Sequence, residues 1–343
     1  MNVYHRIHLP THAPTQSTSS QNGHSSRFQP PPRRHRAGQS NRRRPPGRAA
    51  TQALLRLVVS LPSIAVKSSK NPKTKTPKKK KKQSQNLATI SLNTATSIQS
   101  NQPPSCPFVQ RIWSILEHKR IPYQYIEINP YNKDPSFLAL NPRGLVPTLE
   151  VQSRSGHPKP LYESTVLAEF LDEAYPDTGP RLLPEDPYER ARARIWVGFC
   201  TSRLVPAWHR FLQFQPASDR EGLEKVRGEF VGVLREFAAE LPAGGKGPFF
   251  HGAQPGMVDF VVAPWVVRLW VFEHFKGGLE VPREGEGGVW ERFAAWKEAV
   301  EDLRSVRETL SEREYYLPIY QRYADDTAQS EMAKASRAGK AVP

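Results

Sequence analysis

The chain has 343 residues and a formal net charge of +16 at pH 7. Its two cysteines, Cys106 and Cys200, supply no disulfide framework, and no uninterrupted apolar run approaches the roughly 18 residues that a membrane-spanning helix needs. These features exclude a disulfide-rich secreted domain and a membrane-spanning protein. We therefore expect a reduced, soluble protein of the cytoplasm with no membrane partner and no metal site.

The positive charge is confined to the first part of the chain. Residues 1–103 contain 10 Arg, 9 Lys and no acidic residue, a charge of +19, so residues 104–343 are net −3. Because this segment is rich in Pro, Ser, Gln, Asn and Arg, we expect a disordered basic extension. The lysine run at residues 78–82 fits a nuclear localisation signal or a nucleic-acid contact, and equally a solvated tail. The patch at residues 49–66 could belong to a mitochondrial transit peptide, although it lies far from Met1.

One cysteine stands directly before a predicted helix. Pro107 suits a first helical turn, and the residues that follow it have the i, i+3, i+4, i+7 spacing of a helix: Val109, Ile112, Trp113 and Leu116. The N–H groups and the positive dipole end of this helix favour a thiolate. We therefore expect the pKa of Cys106 to lie below the roughly 8.5 of a free cysteine. Taken without its neighbours, a lone cysteine is more often a small buried hydrophobic residue.

Helices and strands alternate from this point to Tyr175. The turn Asn141-Pro142-Arg143-Gly144 leads into an apolar strand with a proline near its start, and Glu163-Ser164 opens a helix. The periodicity predicts a helix ending near residue 119, strands at residues 122–128, 145–151 and 160–162, and helices at residues 135–140 and 163–175. The predicted order is therefore α, β, α, β, β, α.

Beyond Pro176 only helices are predicted. Amphipathic or apolar runs occupy residues 187–213, 219–241, 258–275, 289–303 and 311–325. Gly256 followed by Asp259 matches half of a helix capping box, because glycine cannot supply the usual side-chain oxygen. The predicted organisation is a disordered extension at residues 1–103, an α/β domain at 104–178, an all-helical domain at 184–326 and a frayed tail at 327–343.

These motifs together resemble a cytosolic glutathione transferase, and more narrowly the omega class. The resemblance spans residues 105–325, and its carriers are Cys106-Pro107-Phe108-Val109-Gln110-Arg111, Asn141-Pro142-Arg143-Gly144-Leu145-Val146-Pro147 and Glu163-Ser164. It implies a thioredoxin-like N-terminal domain followed by an all-helical C-terminal domain. It also implies glutathione as cosubstrate, a small-molecule or glutathionylated acceptor, and a homodimer.

The resemblance assigns the glutathione site. A cis peptide bond before Pro147 would aim the backbone of Val146 at the cysteinyl part of glutathione, as an added strand would. Glu163 would hold the γ-glutamyl ammonium and Ser164 the adjacent carboxylate. By the same match, Lys133 reaches the glycyl carboxylate and Phe108 lies beside the thiol. Read without the resemblance, Pro147 is an edge-strand proline, the Glu-Ser pair a helix cap and the lysine ordinary surface.

A cysteine at the position of the tyrosine or serine of other classes changes the expected chemistry. Cys106 can attack a glutathionylated substrate and form a mixed disulfide, which a second glutathione resolves. The omega class implies thiol transfer, deglutathionylation and dehydroascorbate reduction, with weak conjugation. Four residues of the long helix could line an acceptor pocket: Arg194, Trp196, Cys200 and His209. For Cys200 and His209, a plain core or surface role is the stronger alternative.

One feature departs from the family. A buried strand should run directly into the cysteine loop, but residues 97–104 are polar and interrupted by prolines. Either residues 87–98 supply the strand through a longer loop, or the strand is absent because the N-terminal sequence comes from an incorrect gene model. The second explanation is favoured. Its loss would expose a sheet edge and leave Cys106 badly placed.

Two other functions compete with the thiol transferase. A non-catalytic module of the same fold could bind nucleic acid through its basic extension. A chloride-channel-like relative would need a first helix that inserts into a membrane. The charged residues of that helix argue against insertion: Arg111, Glu117, His118 and Lys119.

Overall fold

The computed structural model describes residues 90–95, 106–129, 132–152, 158–215, 219–243, 246–281 and 288–341. Most of the extension predicted to be disordered, including its lysine run and its apolar patch, lies outside these residues. The prediction is wrong for Ile90–Ala95, which form a strand. The α/β part comprises β1 (Ile90–Ala95), α1 (Pro107–Lys119), β2 (Tyr123–Ile128), α2 (Pro135–Leu140), β3 (Thr148–Gln152), β4 (Pro158–Tyr162) and α3 (Ser164–Ala174).

The four strands form one mixed sheet in the order β2-β1-β3-β4. Strand β1 pairs parallel with β2 and antiparallel with β3, and β3 pairs antiparallel with β4. Ile90, Ser91 and Leu92 of β1 are all buried, so both faces of this strand are covered. The sheet therefore has a central strand that precedes α1.

The expectation that this first strand is absent is wrong. Residues within 87–98 supply it, as the disfavoured explanation held, and ten residues separate Ala95 from Cys106. The strand lies before the polar, proline-containing residues 97–104 in the sequence. Because β1 lies inside residues 1–103, the α/β domain begins no later than Ile90 rather than at residue 104.

A buried ion pair joins the end of α1 to α3. Lys119 Nζ lies 3.1 Å from Asp172 Oδ1, and both side chains are fully buried. The same ammonium donates to the Pro180 carbonyl, while the Asp172 carboxylate accepts the N–H groups of Leu182 and Leu183. Every polar group in this cluster is partnered, which a buried charge pair requires. The cluster ties the chain that leaves α3 to the α/β domain.

The remaining elements are helical. They are α4 (Pro187–Phe199), α5 (Val205–Gln213), α6 (Arg220–Ala239), α7 (Met257–Val266), α8 (Trp270–Lys276), α9 (Val289–Asp302), α10 (Arg304–Arg307), α11 (Arg313–Ala324) and α12 (Glu331–Arg337). Fully buried aromatic and aliphatic side chains of α5, α6, α7 and α8 form the centre of this part. Within the described residues, no helix is both long and apolar enough to cross a membrane.

Three sequence predictions change here. The helix predicted at 187–213 contains a π-helical turn at Cys200–Leu204, next to Pro206, which lacks the N–H that α-helical pairing needs. The helix predicted at 258–275 is divided into α7 and α8 by a turn that holds Arg268. The predicted frayed tail contains α12, because Met332 and Ala333 pack into the core.

The start of α7 follows the capping prediction. Asp259 Oδ2 accepts the Gly256 N–H at 2.7 Å, and Gly256 has no side chain to return the bond. The other carboxylate oxygen accepts the Phe250 N–H and the Trp296 indole N–H, at 3.0 and 2.7 Å. This buried carboxylate therefore satisfies three donors from three segments of the helical part.

Candidate functional site

Cys106 is the N-cap residue of α1, as the sequence predicts. Its carbonyl accepts the Gln110 N–H at 3.1 Å, and its half-buried side chain makes no capping hydrogen bond. The pKa of the thiol is nevertheless raised, because desolvation outweighs the N–H groups of Val109 and Phe108 and the charges of Arg268 and Arg111. The expectation of a lowered pKa is wrong for the protein without a ligand. Sequence identifies the helix terminus but not how far the thiol is removed from water.

The Val146–Pro147 peptide bond is cis. Val146 is half-buried, and no residue that the structure describes hydrogen-bonds to its backbone N–H or C=O. The buried side chain of Asn141 stabilises the preceding turn by donating to the Leu145 carbonyl and to Thr148 Oγ1, at 2.8 and 3.1 Å. Val146 therefore presents a free backbone donor and acceptor from an ordered turn.

Glu163 and Ser164 open α3 beside the cysteine-bearing helix. Glu163 has a positive φ of 72° and an exposed side chain that pairs with Arg143. Ser164 Oγ accepts Arg111 Nη1 at 3.1 Å, which connects the start of α3 to α1. The Glu-Ser pair is thus held next to the first two turns of α1, with the Glu163 carboxylate facing solvent.

Lys133 lies over the turn that leads to Val146. Gly144 in this turn has a φ of +63°, and a Cβ built there would lie 3.0 Å from both Lys133 Cδ and Nζ. The positive φ favours glycine here, and the Lys133 side chain would have to shift to admit a Cβ. The ammonium has no partner among the described residues, so it is free to bind an anion near Val146.

Phe108 faces the helical part. Its ring meets Trp265 of α7 edge-on, with centroids 5.0 Å apart. The Arg111 guanidinium lies 4.4 Å from the Trp265 ring and 5.2 Å from the Phe108 ring, and its Nε donates to the Val261 carbonyl at 2.7 Å. The first turns of α1 are therefore fixed against α7 as well as against α3.

The four acceptor candidates from the long helix do not share one environment. Arg194 pairs with Glu169 on α3, and Trp196 packs against three phenylalanine rings. Cys200 is buried, and desolvation raises its pKa to about 12. His209 is buried as well, and desolvation lowers its pKa to about 3. Cys200 and His209 are core residues, as the stronger alternative held.

Sequence reasoning missed a buried polar cluster on the helical side of Cys106. Arg268 from the α7–α8 turn interacts electrostatically with Cys106, and so does Tyr320 from α11. Arg268 donates to Tyr316 of α11 at 3.0 Å. Nothing in the spacing of these residues relates them to Cys106, which lies more than 150 positions earlier in the chain.

Family comparisons agree with this geometry. Residues 105–174 match the model described as "Glutathione S-transferase, N-terminal domain", and residues 215–307 match "Glutathione S-transferase, C-terminal domain". Glutathione S-transferase omega-1 of Sus scrofa is 39% identical over 49% of this chain and 65% of its own length. A probable glutathione S-transferase of Nicotiana tabacum is 32% identical over 62% of this chain and 88% of its own.

A solved structure gives the same assignment. Glutathione transferase Omega 3C from Trametes versicolor is 37% identical, with a TM-score of 0.57 over 70% of this chain and 92% of its own. The chain spans less than two thirds of the length of the omega-1 relative, but nearly all of the fungal one. The matches confirm the thioredoxin-like domain followed by a helical one. This chain belongs to the glutathione transferase family and is similar to its omega class.

Proposed function

We propose that this chain is a glutathione-dependent thiol transferase and reductase that works through a mixed disulfide at Cys106. The observation that carries the proposal is a half-buried thiol, rather than a hydroxyl, at the N-terminus of α1. A thiol can form and exchange a disulfide, which a hydroxyl cannot. The proposed reactions are deglutathionylation and dehydroascorbate reduction, with weak conjugation of glutathione to electrophiles.

Glutathione binds on the side of Cys106 that presents Val146, Lys133 and Glu163, which we call the strand side. The free N–H and C=O of Val146, before the cis bond to Pro147, pair with the cysteinyl unit, as in strand addition. Glu163 binds the γ-glutamyl ammonium and Ser164 the adjacent carboxylate. Lys133 binds the glycyl carboxylate, and Phe108 lies beside the sulfur. Two observations support these assignments: the Lys133 ammonium has no partner among the described residues, and the Glu163 carboxylate is exposed.

Deglutathionylation consists of two thiol–disulfide exchanges. The Cys106 thiolate attacks the glutathione sulfur of a glutathionylated substrate, the substrate sulfur leaves as a thiolate, and a mixed disulfide forms. A second glutathione thiolate then attacks the glutathione sulfur of the mixed disulfide. Oxidised glutathione leaves and the Cys106 thiolate is restored. Because burial raises the pKa of Cys106, we expect the rate to increase with pH through the neutral range.

Adduct formation tests this function. Incubation with oxidised glutathione should add one glutathione per chain, and peptide mass spectrometry should place it on Cys106. Cys106→Ala should abolish the adduct and reductase turnover, whereas Cys200→Ser should keep both because Cys200 is buried. Normal turnover by the Cys106→Ala variant would exclude the mechanism.

A second function rests on the charge of +19 carried by residues 1–103. In this alternative the fold is a non-catalytic module, and the basic extension binds nucleic acid and directs the chain to the nucleus or a mitochondrion rather than the cytoplasm. Binding of RNA or DNA should then weaken steeply with salt and disappear when these residues are removed. Nucleic-acid binding without any adduct at Cys106 would favour this alternative.

We also propose that the chain forms a homodimer. Several apolar side chains of β4, α3 and α4 are exposed, including Val166 at 55% and Ile195 at 67%. Apolar surface of this kind is often covered by a partner. Sedimentation equilibrium should give twice the chain mass, and Val166→Glu should reduce it to that of a monomer. A wild-type protein that sediments as a monomer would contradict the dimer.

A further inference from the structure

Two buried arginines that interact electrostatically with Cys106 have no carboxylate partner among the described residues. Arg111 of α1 and Arg268 of the α7–α8 turn are both about 1% exposed. No acidic side chain pairs with either one among the described residues, and Arg111 Nη2 and Arg268 Nε have no hydrogen-bond partner there. A buried cation without an anion is costly, so such a group usually faces one.

Arg268 is anchored one helical turn from Cys106. Its Nη1 donates to Gln110 Oε1 and to the Pro264 carbonyl, and its Nη2 donates to the Tyr316 hydroxyl. Gln110 is the residue whose backbone N–H bonds to the Cys106 carbonyl, and its Nε2 donates to Thr309 Oγ1 at 3.3 Å. Helix α1, the α7–α8 turn and α11 therefore jointly hold this guanidinium.

Among the described residues, four buried titratable groups interact with these arginines: Tyr316, Tyr320, Cys200 and Cys106. Burial raises the pKa of Tyr320 on α11 and raises the pKa of Cys200 to about 12, so both side chains stay neutral at physiological pH. Cys106 interacts with both guanidinium charges, which favour its thiolate, while burial favours its thiol. The uncompensated positive charge therefore acts on the thiol.

We propose that Arg268 is a positioning residue that stabilises the Cys106 thiolate from the helical domain, with Arg111 as the second cation. The nucleophile then depends on a residue outside the α/β domain that carries it. Of the two arginine charges, that of Arg268 has the larger lowering effect on the pKa of Cys106, in opposition to burial. The catalytic consequence rests on the proposed thiol transfer, but the charge effect on Cys106 does not.

Alkylation of Cys106 tests this role directly. Its rate with iodoacetamide would be followed by peptide mass spectrometry across pH, for the full chain without glutathione. Because only the thiolate reacts, Arg268→Gln should lower the rate at neutral pH by about tenfold. At the alkaline plateau, the variant and the wild type should react at the same rate. Arg268→Lys, which keeps the charge, should restore most of the neutral rate.

A matched control is Arg227→Gln, which removes another buried arginine of the helical part. Arg227 pairs with the Glu224 carboxylate and donates to the Lys276 carbonyl. It should leave the pH profile unchanged. Tyr316→Phe removes only the hydroxyl that holds Arg268, and it decides the question if Arg268→Gln does not fold. This variant should shift the profile in the same direction by a smaller amount.

An unchanged midpoint of the pH profile in Arg268→Gln, or in Tyr316→Phe where only that variant folds, overturns the proposal. A plateau rate lowered together with the neutral rate also overturns it, because that pattern reports lost access rather than lost charge. If wild-type Cys106 takes up no glutathione but Arg268→Gln shifts the alkylation profile, the proposed function fails and this inference stands.

Discussion

The two sides of Cys106 are built differently. On the strand side, Val146, Lys133 and Glu163 are half-buried or exposed, and each presents a group that the fold leaves free or only weakly engaged. On the helical side, Gln110 and Arg268 are about 1% exposed and are bonded to one another. A ligand can therefore reach groups on the first side at the surface, where the Glu163–Arg143 ion pair is exposed, whereas the second side is part of the core.

This difference predicts that substitutions on the two sides should have different effects. On the strand side, a lost side chain removes an interaction with the ligand and leaves the fold intact. In the helical core, a lost polar side chain leaves buried partners unsatisfied and lowers the free energy of unfolding. Four substitutions test this contrast, from the largest expected effect to the smallest.

The largest effect is expected at Asp259, whose carboxylate satisfies three donors at the start of α7. Asp259→Ala leaves these donors unpaired, and we expect the free energy of unfolding to fall by about 4 kcal/mol. Asp259→Asn keeps the oxygen that serves Phe250 and Trp296 but turns an amide N–H₂ toward Gly256, so its loss should be intermediate. Chemical denaturation measures both, and an unchanged midpoint in Asp259→Ala would contradict the assignment.

His209 should make the helical core sensitive to acid. Burial lowers its pKa to about 3. Below about pH 6.5, His209 therefore binds a proton in the unfolded chain but stays neutral in the folded chain. Between about pH 6.5 and about pH 5 this single group should cost about 2 kcal/mol of stability. His209→Phe should remove that part of the pH dependence in denaturation experiments. His274→Asn, at an exposed histidine, is the control, and equal slopes for both variants would argue against the role of His209.

On the strand side, Glu163→Gln should raise the KM for glutathione about tenfold, because it removes the charge proposed for the γ-glutamyl ammonium. The midpoint of denaturation should stay unchanged, since the side chain is exposed. Arg143→Gln breaks the same ion pair without touching the proposed ligand and should change KM at most about twofold. Equal KM values for the two variants would mean that loss of the ion pair, not loss of ammonium binding, changes the KM for glutathione.

The smallest effect is expected at Lys133. Lys133→Met should raise the KM for glutathione about threefold, because a partly exposed ammonium gains little from one carboxylate in water. The effect should weaken with added salt. Lys159→Met, at an exposed lysine of β4, is the matched control and should leave KM unchanged. A salt-independent change, or the same change in both variants, would exclude the contact with the glycyl carboxylate.

Local signals predicted most of the helices and strands of the α/β domain, and the resemblance supplied the proposed glutathione site. Pro107 and the apolar spacing after it located α1, and the Val146–Pro147 step and the Glu163-Ser164 pair lie where the resemblance placed them. These features depend on residues that are close in sequence, so a pattern can reveal them.

The remaining features depend on tertiary structure. Strand β1 is short, and ten residues separate its end from Cys106, so the sequence next to the cysteine does not reveal it. The raised pKa of Cys106 comes from burial that no local pattern reports. The approach of Arg268 to Cys106 requires the helical domain to dock on α1, which spacing along the chain cannot show.

A crystal structure of the full chain, from crystals soaked with oxidised glutathione, tests the proposed site and mixed disulfide most directly. We expect a disulfide of about 2 Å between Cys106 Sγ and the glutathione sulfur, with Val146 N–H and C=O bonded to the cysteinyl unit. Arg268 should remain bonded to Gln110 on the opposite side. Glutathione bound away from Cys106, or joined to it with the Val146 backbone unpaired, would contradict the account.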